Sequence, residues 1–244
     1  MIGKLGKLEP KRDARTLWLA DYLETPRLPP LPLSRAWSPK CDPVWPMLGN
    51  DLVGCCTCAA AGHMIATWTA NEGHQITLTE AEVLAAYSAI SGYVPGQPDT
   101  DRGAYMLDAL KHWRNVGIGG HKILAFAKLN PADHTQILQA VELFGAVYLG
   151  LWLPTTAQGE AIWADTGGTP GSWGGHAVGA MNWDPYTRTC VTWGHTQKMT
   201  PEFHDRYCDE AYAVLSEDWT GPDRVAPNGF DLDRLLEDLG RVTG

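Results

Sequence analysis

The segment GNDLVGCCTCAAAGHMIATWT, residues 49–69, is the stretch on which the reading of the fold turns. From Cys56 to Thr69 it is alanine-rich and apolar almost all round, the pattern of a helix buried on every side. Ahead of it, Gly49, Asn50, Asp51 and Gly54 are turn residues, so the helix opens just after Gly54. That places a thiol, Cys56, in the first helical turn. Backbone N–H groups there lack intrahelical partners, and the positive end of the helix dipole favours a thiolate, the nucleophilic form of cysteine. Gly54 allows the sharp entry and leaves room for a carbonyl. Asn50, six residues before Cys56, carries an amide that could donate to an oxyanion. A free cysteine in an alanine-rich helix is more often a small core residue, and on this segment alone that reading is the stronger.

A second segment changes the balance. Gly174-Gly175-His176-Ala177-Val178 puts a histidine at the start of a predicted core strand, held by two glycines yet near the strand's open end. An imidazole so placed can take a thiol proton and later hand it to a leaving group. Seven other histidines compete for that role. The pairing with a helix-start cysteine 120 residues earlier is what favours His176.

Around these two points, helices are predicted at Glu80–Ile90, behind the capping-box pattern Thr79-Glu80-Ala81-Glu82, and at Ala104–Val116 and Asp133–Phe144. A short helix is expected at Thr16–Leu23, and an extended arm at the proline-rich stretch Pro26–Pro32. Strands are predicted at Gly145–Leu153, His176–Met181, Thr189–Trp193 and Ala211–Leu215. No internal repeat stands out. Helices lead and strands follow, which indicates an α+β chain of two lobes. The expected divisions are an N-terminal arm over 1–49, a mainly helical lobe over 50–128, a β-rich lobe over 129–219, and a tail over 220–244 with an amphipathic helix at Phe230–Leu239. The arm should pack across the two lobes.

Composition excludes several classes. The 244 residues are 44% hydrophobic and 19% charged, as in a globular chain with a large core. A net charge of −9, with no basic cluster longer than Lys11-Arg12, argues against nucleic acid as a partner. The longest apolar run, Leu143–Leu153, is too short to span a bilayer, and Met1–Arg15 has no apolar run behind it to make a signal peptide. The six cysteines are therefore expected as free thiols in a reducing compartment. A zinc site from Cys41, Cys55, Cys58 and His63 is disfavoured, because no second ligand pair follows Cys55-x-x-Cys58. No metal or other cofactor is expected.

In collinear order, these motifs resemble the papain-like cysteine peptidases over most of the chain. The arm Leu31–Trp37 resembles the start of that family's mature domain, and no pro-segment of useful length is expected before it. Asn50 stands where the family has its oxyanion-hole glutamine, and Gly54 matches the glycine two residues before the nucleophile, which is Cys56 here. Gly103–Ile118 is similar to a further helix region of the family. His176-Ala177-Val178 matches the catalytic His-Ala-Val, and Trp193-Gly194 matches the end of Asn-Ser-Trp-Gly. The resemblance implies a papain-like two-lobed fold, helical lobe plus antiparallel β-sheet or barrel. It implies Cys56, His176 and Asn50 as catalytic residues, Gly54, Gly175 and Trp193 as binding residues, and a peptide or protein substrate.

Three departures stand out. Cys-Gly-Ser-Cys-Trp reads Val53-Gly54-Cys55-Cys56-Thr57, so a disulfide cysteine and a tryptophan are missing. The asparagine that orients the histidine reads Val191, leaving Thr192 or a backbone carbonyl to hold the ring. Asparagine also replaces glutamine at position 50. The strings Gly-Asn-Asp-x-x-Gly-x-Cys and Val-Thr-Trp-Gly further resemble papain-like proteins of actinobacterial bacteriophages, which implies an infected cytoplasm or a virion as the setting, with other virion proteins as possible partners. The rival reading is a structural or virion-associated module with a weakened site, its 11 tryptophans serving surfaces.

Overall fold

In the computed structural model, which describes residues 3–21 and 30–221, Cys56–Asn71 forms a helix (α1) whose 16 residues are all buried. The alanines on it keep its surface shallow, so it can lie flat against a sheet. The strand it lies on is Gly174–Trp183 (β5). A side chain at Gly179 would meet Met64 Cγ at 2.7 Å, so this glycine is what lets helix and strand approach. Thr67 Oγ1 reaches Met181 Sδ at 3.2 Å further along. Helix and strand therefore run in the same direction, and the N-terminus of α1 lies level with the start of β5.

The sheet has eight strands. Besides β5 they are Arg35–Ala36 (β1), Ile123–Leu129 (β2), Val147–Leu153 (β3), Ile162–Trp163 (β4), Arg188–Thr192 (β6), His195–Met199 (β7) and Cys208–Ser216 (β8). The order is β2-β8-β3-β5-β6-β7-β4, with β1 pairing β5. Every pairing is antiparallel except β4 with β7. β3 and β5 are buried nearly throughout, which is why both read as continuous apolar runs.

The remaining helices are Glu80–Ser91 (α2), Met106–Asn115 (α3), His134–Phe144 (α4), Pro201–Tyr207 (α5) and Glu217–Thr220 (α6). The Thr79/Glu82 capping box forms as expected, and Gly92 ends α2 in the left-handed region. Three indoles converge on the C-terminal end of α4. Trp37, Trp68 and Trp219 donate to the carbonyls of Val141, Phe144 and Leu143 in the last turn, where Val141 O also accepts from the capping Gly145 N.

Several expectations are corrected. Strand β2 begins at Ile123, ahead of the sheet boundary expected at 129, and β7 and α5 were not anticipated. Of the helix expected at Thr16–Leu23, the described part forms only a single 3-10 turn, Leu19–Asp21, too short a segment to hold an α-helix. Eight of the 11 tryptophans lie in the core rather than on surfaces. The amphipathic helix expected at Phe230–Leu239 and most of the proline-rich stretch lie outside the described residues.

Candidate active site

Cys56 opens α1 and is 1% exposed. Tyr148, on β3, donates its hydroxyl to Thr57 O at 2.9 Å and pins this end of the helix. Just before it, Gly54 N donates to Asp101 Oδ2 at 2.8 Å. Asp101 also accepts from the Tyr87 hydroxyl, which in turn accepts from Gly103 N. The turn into α1 and the loop before α3 are thus tied together. Cys55 and Cys58 point away, as their rotation about the helix requires: Cys55 Sγ lies 3.6 Å from Leu48 O, and Cys58 Sγ lies 4.0 Å from Thr57 Oγ1.

His176 is the third residue of β5 and is 1% exposed. The backbone amide of Ala177, the next residue, faces the Cys56 sulfur and favours its thiolate. The ring of His176 is held on two sides. Nε2 is 2.6 Å from Thr192 Oγ1, at the end of β6. Trp193 stacks on the ring at 4.4 Å between centroids and 23° between planes. Trp193 has φ 46° and Gly194 φ 77°, the pair of positive values a tight two-residue hairpin between β6 and β7 needs. A tryptophan seldom adopts that conformation, so the turn is strained in order to lay an indole on the imidazole. Thr192 therefore occupies the role that the sequence left between a side chain and a backbone carbonyl. Val191 faces the other side of β6, since successive strand residues alternate, and is buried against the core.

Nδ1 of His176 makes no hydrogen bond, to Cys56 or to any other described group. Burial pushes the Cys56 thiol up and lowers His176 from 6.5 to about 3, and the nearby His63 ring adds to the lowering of His176. Both shifts run towards the neutral thiol and the neutral imidazole while the strap is in place. The ion pair that a helix-start thiol would form in an open site is suppressed, because the site is dry.

What dries it is the chain's own N-terminus. Residues 3–8 lie extended between the two walls. Lys4 N donates to Asn50 O at 2.7 Å, and Asn50 Nδ2 donates back to Lys4 O at 3.1 Å and to Val53 O at 2.9 Å. Trp193 Nε1 donates to Lys4 O as well. Gly6 N and Lys7 N both donate to Gly175 O, while Ala104 N donates to Gly6 O and Leu8 N to Ala104 O. The fit is close: a Cβ on Gly6 would stand 1.8 Å from Gly54 O. The amides of Gly6 and Lys7 face the Cys56 sulfur.

Asn50, Gly54, Gly175 and Trp193 contact the strap directly, the strap's amides face Cys56, and His176 follows Gly175 in β5 and stacks on Trp193. Asn50, Gly54 and Cys56 form one wall, Gly175, His176 and Trp193 the other, with the strap between them. The sequence reading missed Asp101, Ala104 and the strap itself, having expected no pro-segment of useful length. One signal was available: Gly3-Lys4-Leu5-Gly6-Lys7-Leu8 is a doubled triplet, with small residues where walls close in. Among the described residues, no three metal-ligating side chains are grouped to hold an ion, and no helix is long and apolar enough to cross a membrane.

No protein-family model matches the chain, and no curated protein matches it by sequence. Solved structures do. A cysteine protease from Xylella fastidiosa, xylellain, superposes with a TM-score of 0.68 over 88% of this chain and 96% of its own, at 14% identity. The fold is papain-like. Procathepsin B S9 from Trypanosoma congolense has a TM-score of 0.60 over 87% of this chain and 86% of its own, at 13% identity. A Carica candamarcensis cysteine protease has a TM-score of 0.55 over 76% and 99%, at 15% identity. At such identities the papain-like likeness is one of architecture, and the chemistry rests on the groove just described.

Proposed function

We propose that the protein is a cysteine peptidase in which Cys56 is the nucleophile, His176 the acid–base, and residues 3–8 a strap that keeps the site closed. One observation carries this: beside a helix-start thiol and a clamped histidine lies a groove already filled by extended polypeptide, held through its main chain by Asn50, Ala104 and Gly175. A groove that binds backbone in this way suits a peptide substrate.

With the strap displaced, Cys56 Sγ adds to the scissile carbonyl carbon as its proton passes to His176 Nδ1, the nitrogen without a partner. The oxyanion is met by Asn50 Nδ2 and the first-turn amides of α1. Collapse breaks the C–N bond, and His176 returns the proton to the departing amine, leaving a thioester. Water then adds, giving its proton to His176, and the acid is released as the thiol re-forms. Thr192 and Trp193 keep the ring in place through both proton transfers.

The setting in a phage-infected cytoplasm or a virion rests on the strings 49–56 and 191–194 alone. The second reading, a papain-like module without turnover, is favoured by the neutral, buried pair. The Lys7→Met variant, which removes the strap's buried charge, separates the two on a mixture of unfolded-protein peptides. Cleavage that vanishes in Lys7→Met/Cys56→Ala supports the peptidase. Cleavage that persists there, or is absent throughout while Cys56 is accessible, supports the module.

A further inference from the structure

Lys7 is a buried lysine at the tip of a strap, with a side chain that is 0% exposed. Its Nζ lies 2.7 Å from Asp209 Oδ2 and 3.4 Å from Glu210 Oε1, both on β8, and it donates to Leu8 O at 3.2 Å. The ammonium also sits 4.9 Å from the centroid of the Trp152 ring. The stem crosses Gly150 of β3, the register partner of Glu210, where a Cβ would come within 2.3 Å of Lys7 Cε and 2.7 Å of Met106 Sδ. These groups make a pocket opening into the groove, with an apolar barrel and an acidic end.

Glu210 is set there deliberately by its neighbours. Tyr212 donates its hydroxyl to Oε2 at 2.9 Å, whereas Oε1, on a side chain only 1% exposed, has no hydrogen bond. Burial raises Asp209 and Glu210 above the usual carboxylate range, and the Lys7 charge opposes that rise. Two carboxylates in so dry a place need a cation, and with the strap away Lys7 no longer supplies one.

We infer that the Asp209/Glu210 pocket is the specificity pocket of the groove, selecting substrates by a lysine or arginine side chain, and that Lys7 occupies it as an internal mimic of that side chain. The inference rests on the peptidase reading for its substrate, but not for its pocket. Bidentate guanidinium would use Glu210 Oε1 more fully than Lys7 does, so arginine should be accepted at least as well as lysine.

Two measurements test it. In Lys7→Ala, n-propylammonium replaces the missing atoms from Cγ to Nζ, and 1-propanol is its uncharged counterpart. The ammonium should raise the melting temperature saturably, the alcohol should not, and the effect should disappear in Lys7→Ala/Glu210→Gln. Lys7→Ala is then given a mixture of unfolded-protein peptides, and the cut sites are read by mass spectrometry. Lysine and arginine should be enriched at one fixed position from the cut by at least about tenfold, falling towards parity with Glu210→Gln. Ammonium rescue without any cleavage keeps the pocket and defeats the peptidase reading. Equal rescue by the alcohol, no rescue, or cleavage with no basic preference overturns the inference. Should Lys7→Ala not fold, Lys7→Met, which retains the stem, is assayed on the same mixture and judged by the same preference.

Discussion

At the scale of single residues, the site depends on which nitrogen of His176 is left free. Thr192 takes Nε2 and Trp193 covers the ring face, so Nδ1 is the atom available for the thiol proton. If the proposed peptidase reading holds, Thr192→Ala in the strap-released protein should lower kcat by roughly tenfold or more while leaving KM near its original value, because the ring loses orientation and not substrate contact. Thr192→Asn, which keeps an oxygen towards Nε2, should recover part of the loss. Steady-state kinetics of the two variants check this. Asn50→Ala should cost roughly 10²–10³ in rate if its amide meets the oxyanion. The sequence pointed to His176 and Cys56, and left the clamp open between Thr192 and a backbone carbonyl. Alignment to the family's motif pointed at Val191, one residue away, and one residue along a strand is the opposite face.

At the scale of elements, the register of α1 on β5 brings the thiol level with the histidine, and Gly179 is the contact that sets it. Gly179→Ala should force Met64 aside, costing about 1–3 kcal/mol in urea unfolding and slowing Cys56 chemistry in the same variant. Trp68→Phe keeps the stacking on Trp113 but loses the bond to Phe144 O, and should cost about 1 kcal/mol by the same assay. The buried elements were the legible ones. α1, β3 and β5 announce themselves as largely apolar stretches, β6 as a short β-prone one, and α2 by its cap. β7 (HTQKM) was not legible, because His195, Thr196 and Lys198 are exposed and its pairing is made with β6 and β4 only. The strap was least legible of all. Its burial comes from walls that lie from 46 to 189 residues away in sequence, and nothing local marks it as interior.

For the whole molecule, the lobes, the groove and the strap form one closed unit whose interior contains histidines kept neutral. His63 and His204 are each lowered by burial to about 4, and His176 to about 3, from an ordinary 6.5. Folded values below the unfolded ones mean that the unfolded chain binds protons first. Stability is then fully present above about pH 6.5 and is lost progressively as pH falls towards 4. Urea midpoints at pH 7.5 and 4.5 should show a marked drop, smaller in His63→Gln, where an amide can still donate to Pro46 O.

The measurement that bears most directly on Cys56 and His176 as a working pair is mass spectrometry after brief treatment with a stoichiometric thiol alkylator, comparing wild type with the strap-loosened Lys7→Met. In the wild type, Cys56 should be slow, shielded by residues 3–8. In Lys7→Met it should become the fastest thiol near neutral pH, well ahead of the buried Cys190, and His176→Ala in that background should remove the advantage. The contradicting result is that Cys56 in Lys7→Met reacts no faster than Cys190 or Cys208, and that His176→Ala leaves its rate unchanged.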